Sequence, residues 1–352
     1  MSDLRVLVVD DSAMNRRTLA GLLRERSGVE VVGAASDGDE ALRMTNALSP
    51  DLITLDLEMP RMDGFTFLRL LMANRPTPVV VVSSHAGKEN VFRALELGAI
   101  DFIMKPDQLL TGNTESIKQQ LDHMVAVVRQ LTPATLALRQ SKEADAALSR
   151  TKPVVSDAPV RIPQRVVAIG ASTGGPTALM EVFSNLPPRS RGAIVVAQHM
   201  PERFTRTFAE RLDRQSAFRV REAEHLRELS PRSALVCPGG RCMEIDREQE
   251  RLVARIVRPT ESDRYAPSAD RLMTSVARAA GKRAVGVVMT GMGDDASKGV
   301  VEIKRAGGIV LAEAADTAVV YGMPRTAQKT GCVDEVLPLP KLVERVAELL
   351  TT

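Results

Sequence analysis

Ten short runs of β-branched and aliphatic residues, each followed by a stretch of helical length, recur along nearly the whole chain. Strands this apolar are buried on both faces, so the repeat dictates parallel sheets wrapped by helices. In the first half the runs are Val6 to Val9, Val29 to Ala34, Leu52 to Leu55, Val79 to Val82 and Phe102 to Met104. In the second they are Val166 to Ile169, Ala193 to Ala197, Ala234 to Val236, Val285 to Met289 and Ile309 to Leu311, with helices opening near Thr177, Glu202, Ser268, Ala296 and Pro340. Between them, from Thr132 to Gln164, Pro133, Pro153, Pro159 and Pro163 stand among Ala, Ser, Lys and Asp, the texture of a linker with one helical stretch at Ala134 to Leu148. The pattern predicts an α/β chain of two doubly wound parallel-sheet domains, residues 1–131 and 165–352, joined by 132–164.

Bulk properties exclude several function classes. The chain has 352 residues, enough for two cores. No Trp and only two Tyr leave little for base stacking, and a net charge of +3 implies no polyanionic partner, so nucleic-acid binding is not expected. Cys237, Cys242 and Cys332 match no zinc spacing. The first apolar run ends at Asp10-Asp11, far short of a secretory or membrane-spanning segment of about 20 residues. A cytoplasmic protein with no membrane insertion is the expectation.

Ligands of a doubly wound sheet bind beyond the carboxyl ends of the strands. In the first half those ends carry Asp10-Asp11, Asp56, Ser83-Ser84 and Lys105-Pro106. Converging carboxylates repel unless a cation neutralises them, and hard oxygen ligands suit Mg²⁺. The segments Val8-Val9-Asp10-Asp11-Ser12, Leu55 to Gly64, Val82-Ser83-Ser84 and Met104-Lys105-Pro106 resemble the receiver domains of two-component response regulators. The resemblance implies a flavodoxin-like receiver with Asp56 as phosphoacceptor and Mg²⁺ held by Asp10, Asp11, Asp56 and the Glu58 carbonyl. It also implies Ser83, Phe102 and Lys105 as the switch and phosphate-contacting residues. A carboxylate can act as nucleophile toward phosphorus, and Lys105 would offset charge on the phosphoryl oxygens.

In the second half, Ile169-Gly170-Ala171-Ser172-Thr173-Gly174-Gly175-Pro176 places Ser172 on a sharp strand-to-helix turn. The turn alone fits a serine nucleophile or a phosphate-cradling loop equally well. The next strand ends in Gln198-His199, and a later one runs into Thr290-Gly291-Met292-Gly293-Asp294-Asp295. Ser, His and Asp thus follow three strands, the set that a serine nucleophile needs, in an order unlike that of α/β-hydrolases. Of the other histidines, His85 follows a receiver strand, His123 lies on a helix and His225 in a charged loop, positions that suit structural or solvated roles.

These segments, with Val236 to Gly240, Pro267-Ser268-Ala269-Asp270 and Val320 to Arg325, closely resemble the catalytic domain of the chemotaxis protein-glutamate methylesterases. The resemblance implies a Rossmann-like methylesterase domain with Ser172 as nucleophile, His199 as general base and Asp295 as orienting acid, with Asp294 the alternative acid. Thr173 and Met292 are the candidate oxyanion donors, and this domain needs no cofactor. It further implies a phosphorylation-activated esterase that demethylates glutamate esters, and deamidates glutamines, on methyl-accepting chemotaxis receptors, served by the histidine kinase of such a pathway. The alternative is a catalytically inactive, phosphorylation-dependent receptor-binding protein. Two positions depart from the family pattern: Cys242 stands where histidine is usual, and Ala296 where glycine is usual. A left-handed backbone at the second would cost more for alanine.

Overall fold

The computed structural model describes residues 3–83, 88–105, 115–131 and 162–352. Ser84, His85, Pro106 and nearly all of the expected linker, including its helix, lie outside the described residues. The chain divides into two compact units, Met1–Glu143 and Ala144–Thr352.

The first unit alternates β1 (Leu4–Val9), α1 (Ala13–Arg24), β2 (Val29–Ala35), α2 (Gly38–Leu48), β3 (Leu52–Leu55), α3 (Gly64–Asn74), β4 (Val79–Ser83), α4 (Lys88–Glu96), β5 (Asp101–Met104) and α5 (Glu115–Val128). Its all-parallel sheet has the order β2-β1-β3-β4-β5, so the winding reverses between β1 and β3. Every residue of β3 and β4 is buried, as the unbroken apolar runs require. Ser12, Asp37 and Asp63 cap α1, α2 and α3 by accepting the amides of Asn15, Glu40 and Thr66. These side chains satisfy amides that a helix start leaves orphaned, and they fix where each loop hands over to its helix.

The second unit contains β6 (Val166–Ala171), α6 (Gly175–Ser184), β7 (Ala193–Gln198), α7 (Glu202–Gln215), β8 (Arg219–Glu222), β9 (Arg227–Glu228), β10 (Ser233–Val236), β11 (Cys242–Glu248), β12 (Arg251–Val257), α8 (Ala269–Ala280), β13 (Ala284–Val288), α9 (Ser297–Arg305), β14 (Ile309–Glu313), α10 (Met323–Lys329), β15 (Glu335–Leu337) and α11 (Leu339–Thr351). Seven parallel strands form one sheet in the order β15-β14-β13-β6-β7-β10-β8. The strands β6, β7 and β13 are wholly buried, and Leu272, Met273 and Val276 of α8 share their core.

The structure adds what the apolar runs do not announce. A second sheet, antiparallel and ordered β11-β12-β9, packs on α8, and the short elements β8, β15 and α10 complete the unit. Among the described residues no helix is long and apolar enough to cross a membrane.

Candidate functional sites

The receiver-like site forms where the first sheet reverses. Asp10 and Asp11 follow β1 and Asp56 follows β3, its neighbour, and oxygens of the three lie within 4.8 Å of one another. Asp10 and Asp56 are buried, whereas Asp11 is exposed. Lys105, after β5, bridges the buried pair, its Nζ lying 2.7 Å from Asp10 Oδ2 and 2.5 Å from Asp56 Oδ2. Burial pushes the Asp56 carboxyl above the usual aspartate range, and Lys105 only partly offsets it. Burial also pulls the Lys105 ammonium down, but its hydrogen bonds to Asp10 and Asp56 prevail and raise it.

One lysine for two buried carboxylates leaves negative charge uncompensated. Among the described residues Asp10 Oδ2, moreover, accepts no well-aligned hydrogen bond, although the Lys105 ammonium lies 2.7 Å away. A hard divalent cation fits this donor set. Around the cluster, the Glu58 amide donates to Asp56 Oδ1 (3.3 Å), the Lys105 amide donates to the Ser83 carbonyl (2.8 Å), Ser83 is buried and Phe102 is half-buried on β5.

The second site lies on three adjacent strands. Ser172 directly follows β6, His199 follows its neighbour β7, and Asp295 lies in the turn after β13, the neighbour on the other side. The Ser172 turn is tight: the Gly175 amide donates to the Ser172 carbonyl (2.8 Å), which also accepts from Gln198 Nε2 (2.9 Å). Gly174 caps α6 at φ +78°, and a Cβ there would fall 2.7 Å from the Val319 side chain, so glycine is required both by conformation and by space. Gly291 is needed for a closer reason, because a Cβ on it would lie 2.7 Å from the Ser172 Cβ.

The structure separates the two candidate acids. His199 Nε2 donates to Asp295 Oδ2 at 2.8 Å, and Asp295 is buried with only 1% of its surface exposed. The other bonds of that carboxylate come from α8: the Ala269 amide to Oδ2 (2.7 Å), the Asp270 amide (2.9 Å) and the Ser268 hydroxyl (3.3 Å) to Oδ1, with the Ala296 amide adding a fourth (3.0 Å). Burial alone would raise its pKa, but His199 and the amides of Ala269 and Asp270 outweigh burial and hold the carboxyl below the usual aspartate range. An ionised carboxylate only accepts, so the imidazole presents an N–H at Nε2, and Nδ1 is the ring nitrogen that the acid does not engage.

Asp294 turns the other way. It is half exposed, pairs with Arg264 (2.9 Å) and accepts the Tyr265 hydroxyl (3.0 Å). Tyr265 stacks on the His199 ring, with centroids 4.8 Å apart and planes 10° from parallel. The neighbour acid thus fixes the aromatic lid of the imidazole.

Among the described residues Ser172 Oγ makes no direct hydrogen bond to His199. The two stand side by side because their strands are paired and the His199 amide donates to the Ala171 carbonyl (3.0 Å). Such a nucleophile–base bond commonly tightens only when substrate is present. Of the oxyanion candidates, Thr173 is buried, with its carbonyl accepting from Thr290 Oγ1 (2.9 Å), while the Met292 amide donates to none of the described residues. Ala296 adopts φ +80°, the strained conformation for which glycine is usual.

Comparison with known proteins shows the family to which the chain belongs. Residues 167–346 match the CheB methylesterase family and residues 6–114 the response regulator receiver domain. The chain belongs to the CheB methylesterase family. Protein-glutamate methylesterase/protein-glutamine glutaminase 3 of Geobacter sulfurreducens is 45% identical over 99% of this chain and 98% of its own. A relative of the same description in Anaeromyxobacter dehalogenans is 46% identical over 98% of this chain and 95% of its own. The crystal structure of the Thermotoga maritima CheB methylesterase catalytic domain aligns with a TM-score of 0.51 at 36% identity, covering 53% of this chain and 98% of that one. As a family member with a receiver, the chain combines a response regulator with a methylesterase domain.

Tyr265, Gln198 and the amides of Ala269 and Asp270 were not singled out by sequence reasoning as site groups. Only the helix start at Ser268 hinted that amides would gather there, because a capping serine marks where unpaired N–H groups begin.

Proposed function

We propose that this chain is a phosphorylation-activated serine esterase of the cytoplasm that demethylates glutamate methyl esters, and deamidates glutamines, on methyl-accepting chemotaxis receptors. The observation that carries the reading is the bond from half-buried His199 to buried Asp295, in the loops after the strands that flank β6 and its Ser172 turn, in a chain aligned nearly end to end with named methylesterases. In this reading His199 Nδ1 takes the Ser172 proton as Oγ attacks the γ-carbonyl carbon. The tetrahedral oxyanion is held by turn amides, with Thr173 and Met292 as candidates, each worth about 3 kcal/mol in the transition state. Its collapse breaks the ester C–O bond, and the imidazolium proton leaves with methanol. Water, deprotonated by the same imidazole, then cleaves the acyl-enzyme to glutamate and free Ser172. A glutamine side chain would lose ammonia by the same steps, more slowly because an amide is the poorer leaving group.

Asp56 is the proposed phosphoacceptor: its carboxylate attacks the phosphorus of the kinase's phosphohistidine, the P–N bond breaks and the imidazole leaves, and Lys105 pairs with the new charge. Asp10, Asp11, Asp56 and the Glu58 carbonyl would hold Mg²⁺, which supplies positive charge beside the transferred phosphoryl group. Ser83 and Phe102 would respond to the phosphate, a group with up to two charges and three acceptor oxygens. With 132–164 as linker, the unphosphorylated receiver would restrict access to Ser172, and a bias of 1 to 3 kcal/mol on that equilibrium gives about five- to 150-fold activation.

The test is methanol release from methyl-labelled receptor, with and without a small phosphodonor, for the parent protein and Ser172→Ala. Release that requires Ser172 and rises with phosphodonor supports both halves. No release from several receptors, despite phosphorylation at Asp56, would favour a binding protein without turnover. If deleting residues 1–160 left activity unchanged or lower, the receiver would not be inhibitory.

A further inference from the structure

A carboxyl group that the proposed reaction does not use lies behind the nucleophile turn. Glu313 ends β14, beside β13, and is 0% exposed. Its Oε2 accepts the Thr290 amide at 2.8 Å. Thr290 spends its remaining polar groups on the site: its carbonyl accepts the Ser172 amide (3.0 Å), and its hydroxyl donates to the Thr173 carbonyl (2.9 Å) and accepts the Val320 amide (3.0 Å). Glu313 is therefore one residue removed from the backbone that fixes the serine.

The other oxygen, Oε1, is enclosed and has no hydrogen-bond partner among the described residues. The Thr317 hydroxyl lies alongside, and two acids, Glu181 on α6 and Asp316 after β14, add to the cost of charge on Glu313. Burial pushes its pKa up to about 7, only partly countered by the Thr290 amide and the Thr317 hydroxyl. The neutral acid suits this environment. An anion would accept the Thr290 amide more strongly, but its second oxygen would carry charge with only the Thr317 hydroxyl alongside, so it must recruit a further donor by water entry or by movement of the turn.

We propose, on the reading of Ser172 as nucleophile, that Glu313 is a positioning residue whose protonated form holds Thr290 and the Ser172 turn in register, and whose ionisation loosens that hold. The reactivity of the serine is then tied to a proton that no reacting atom exchanges.

The test uses the full chain and a fluorophosphonate, which reports the nucleophile without a receptor. Labelling rates are compared for the parent, Glu313→Gln, Glu313→Leu and Ser172→Ala from pH 5 to 9. Gln keeps the acceptor for Thr290 and offers N–H groups where Oε1 has none. Its rate should match the parent within about twofold near pH 5, and the Gln-to-parent ratio should rise to about tenfold by pH 8, as the protonated fraction of the parent falls. Leu should lower the rate at every pH, since it removes the acceptor. A ratio flat with pH would overturn the proposal.

Melting temperature gives a second readout that does not involve Ser172 chemistry. A carboxyl raised from 4.5 to about 7 in the folded state loses stability as pH rises through that window. The Gln variant should therefore gain on the parent between pH 5 and 8, and an unchanging gap would also overturn the proposal. If Ser172→Ala labelled as fast as the parent, the serine assignment itself would fail, and with it the positioning role, whatever the melting curves showed.

Discussion

Both units place buried aspartates in the loops that follow parallel strands, yet the two carboxylates are treated in opposite ways. Asp56 is left short of compensation: burial raises its pKa, and one lysine is shared with Asp10. Asp295 is over-supplied, with three amides, a serine hydroxyl and the His199 imidazole converging on two oxygens, and its pKa is lowered. Under the proposed function the difference is useful: a site that receives a cation and a phosphate gains by staying electrostatically hungry, and a site that orients one imidazole gains by being satisfied in advance.

The sharpest way to break this comparison is to remove each site's central atom. Ser172→Ala should abolish methanol release, by about 10⁶-fold if the serine, histidine and aspartate act as a unit, while phosphoryl uptake at Asp56 stays intact. Next in size, Asp295→Asn should cost about 10⁴-fold in kcat, because an amide cannot hold the imidazole tautomer. Asp294→Asn, which only loosens Tyr265, should cost less than about tenfold, and an equal loss in the two variants would dissolve the distinction between the acids. Asp56→Asn should erase activation by phosphodonor, about five- to 150-fold, and leave basal turnover in place.

The pKa shifts sharpen the contrast further. The lowered pKa of Asp295 contributes stability above the ordinary aspartate value, and that contribution is lost as pH falls through the folded-state value. The raised pKa of Asp56 runs in the opposite sense: stability is lost as pH rises from the ordinary value toward the folded one. In chelator, Asp56→Asn should therefore melt higher relative to the parent at pH 7 than at pH 4, and Mg²⁺ should shrink that gap by stabilising the parent. The smallest effect belongs to Ala296→Gly. Relieving φ +80° should raise stability by about 0.5 kcal/mol, after the entropy that glycine adds to the unfolded chain, as read by denaturant titration.

What could be read in the sequence follows the same division. Asp10, Asp56 and Lys105, like Ser172 and His199, sit within two residues of an apolar strand, so placing the strand places the residue. Asp295 could not be told from Asp294 by spacing, because adjacent residues in a turn point to opposite sides and the choice is made by amides of a helix more than 20 residues upstream. The antiparallel sheet escaped because β11 and β12 read as charged: Glu244 on β11 is neutralised by Arg271 of α8, and Asp246 by Arg255 of β12. Tyr265 and Glu313 matter only through long-range contacts that leave no local pattern.

The order β13-β6-β7 carries one more consequence. Because the serine, the imidazole and the acid hang from consecutive strands, the width of the constellation is measured in interstrand steps of about 4.8 Å. That ruler is made of peptide hydrogen bonds and does not depend on which side chains line the sheet. Relatives sharing fewer than half of their residues with this chain can therefore inherit the same spacing unchanged, and drift elsewhere in sequence costs the site nothing so long as the strands stay in register.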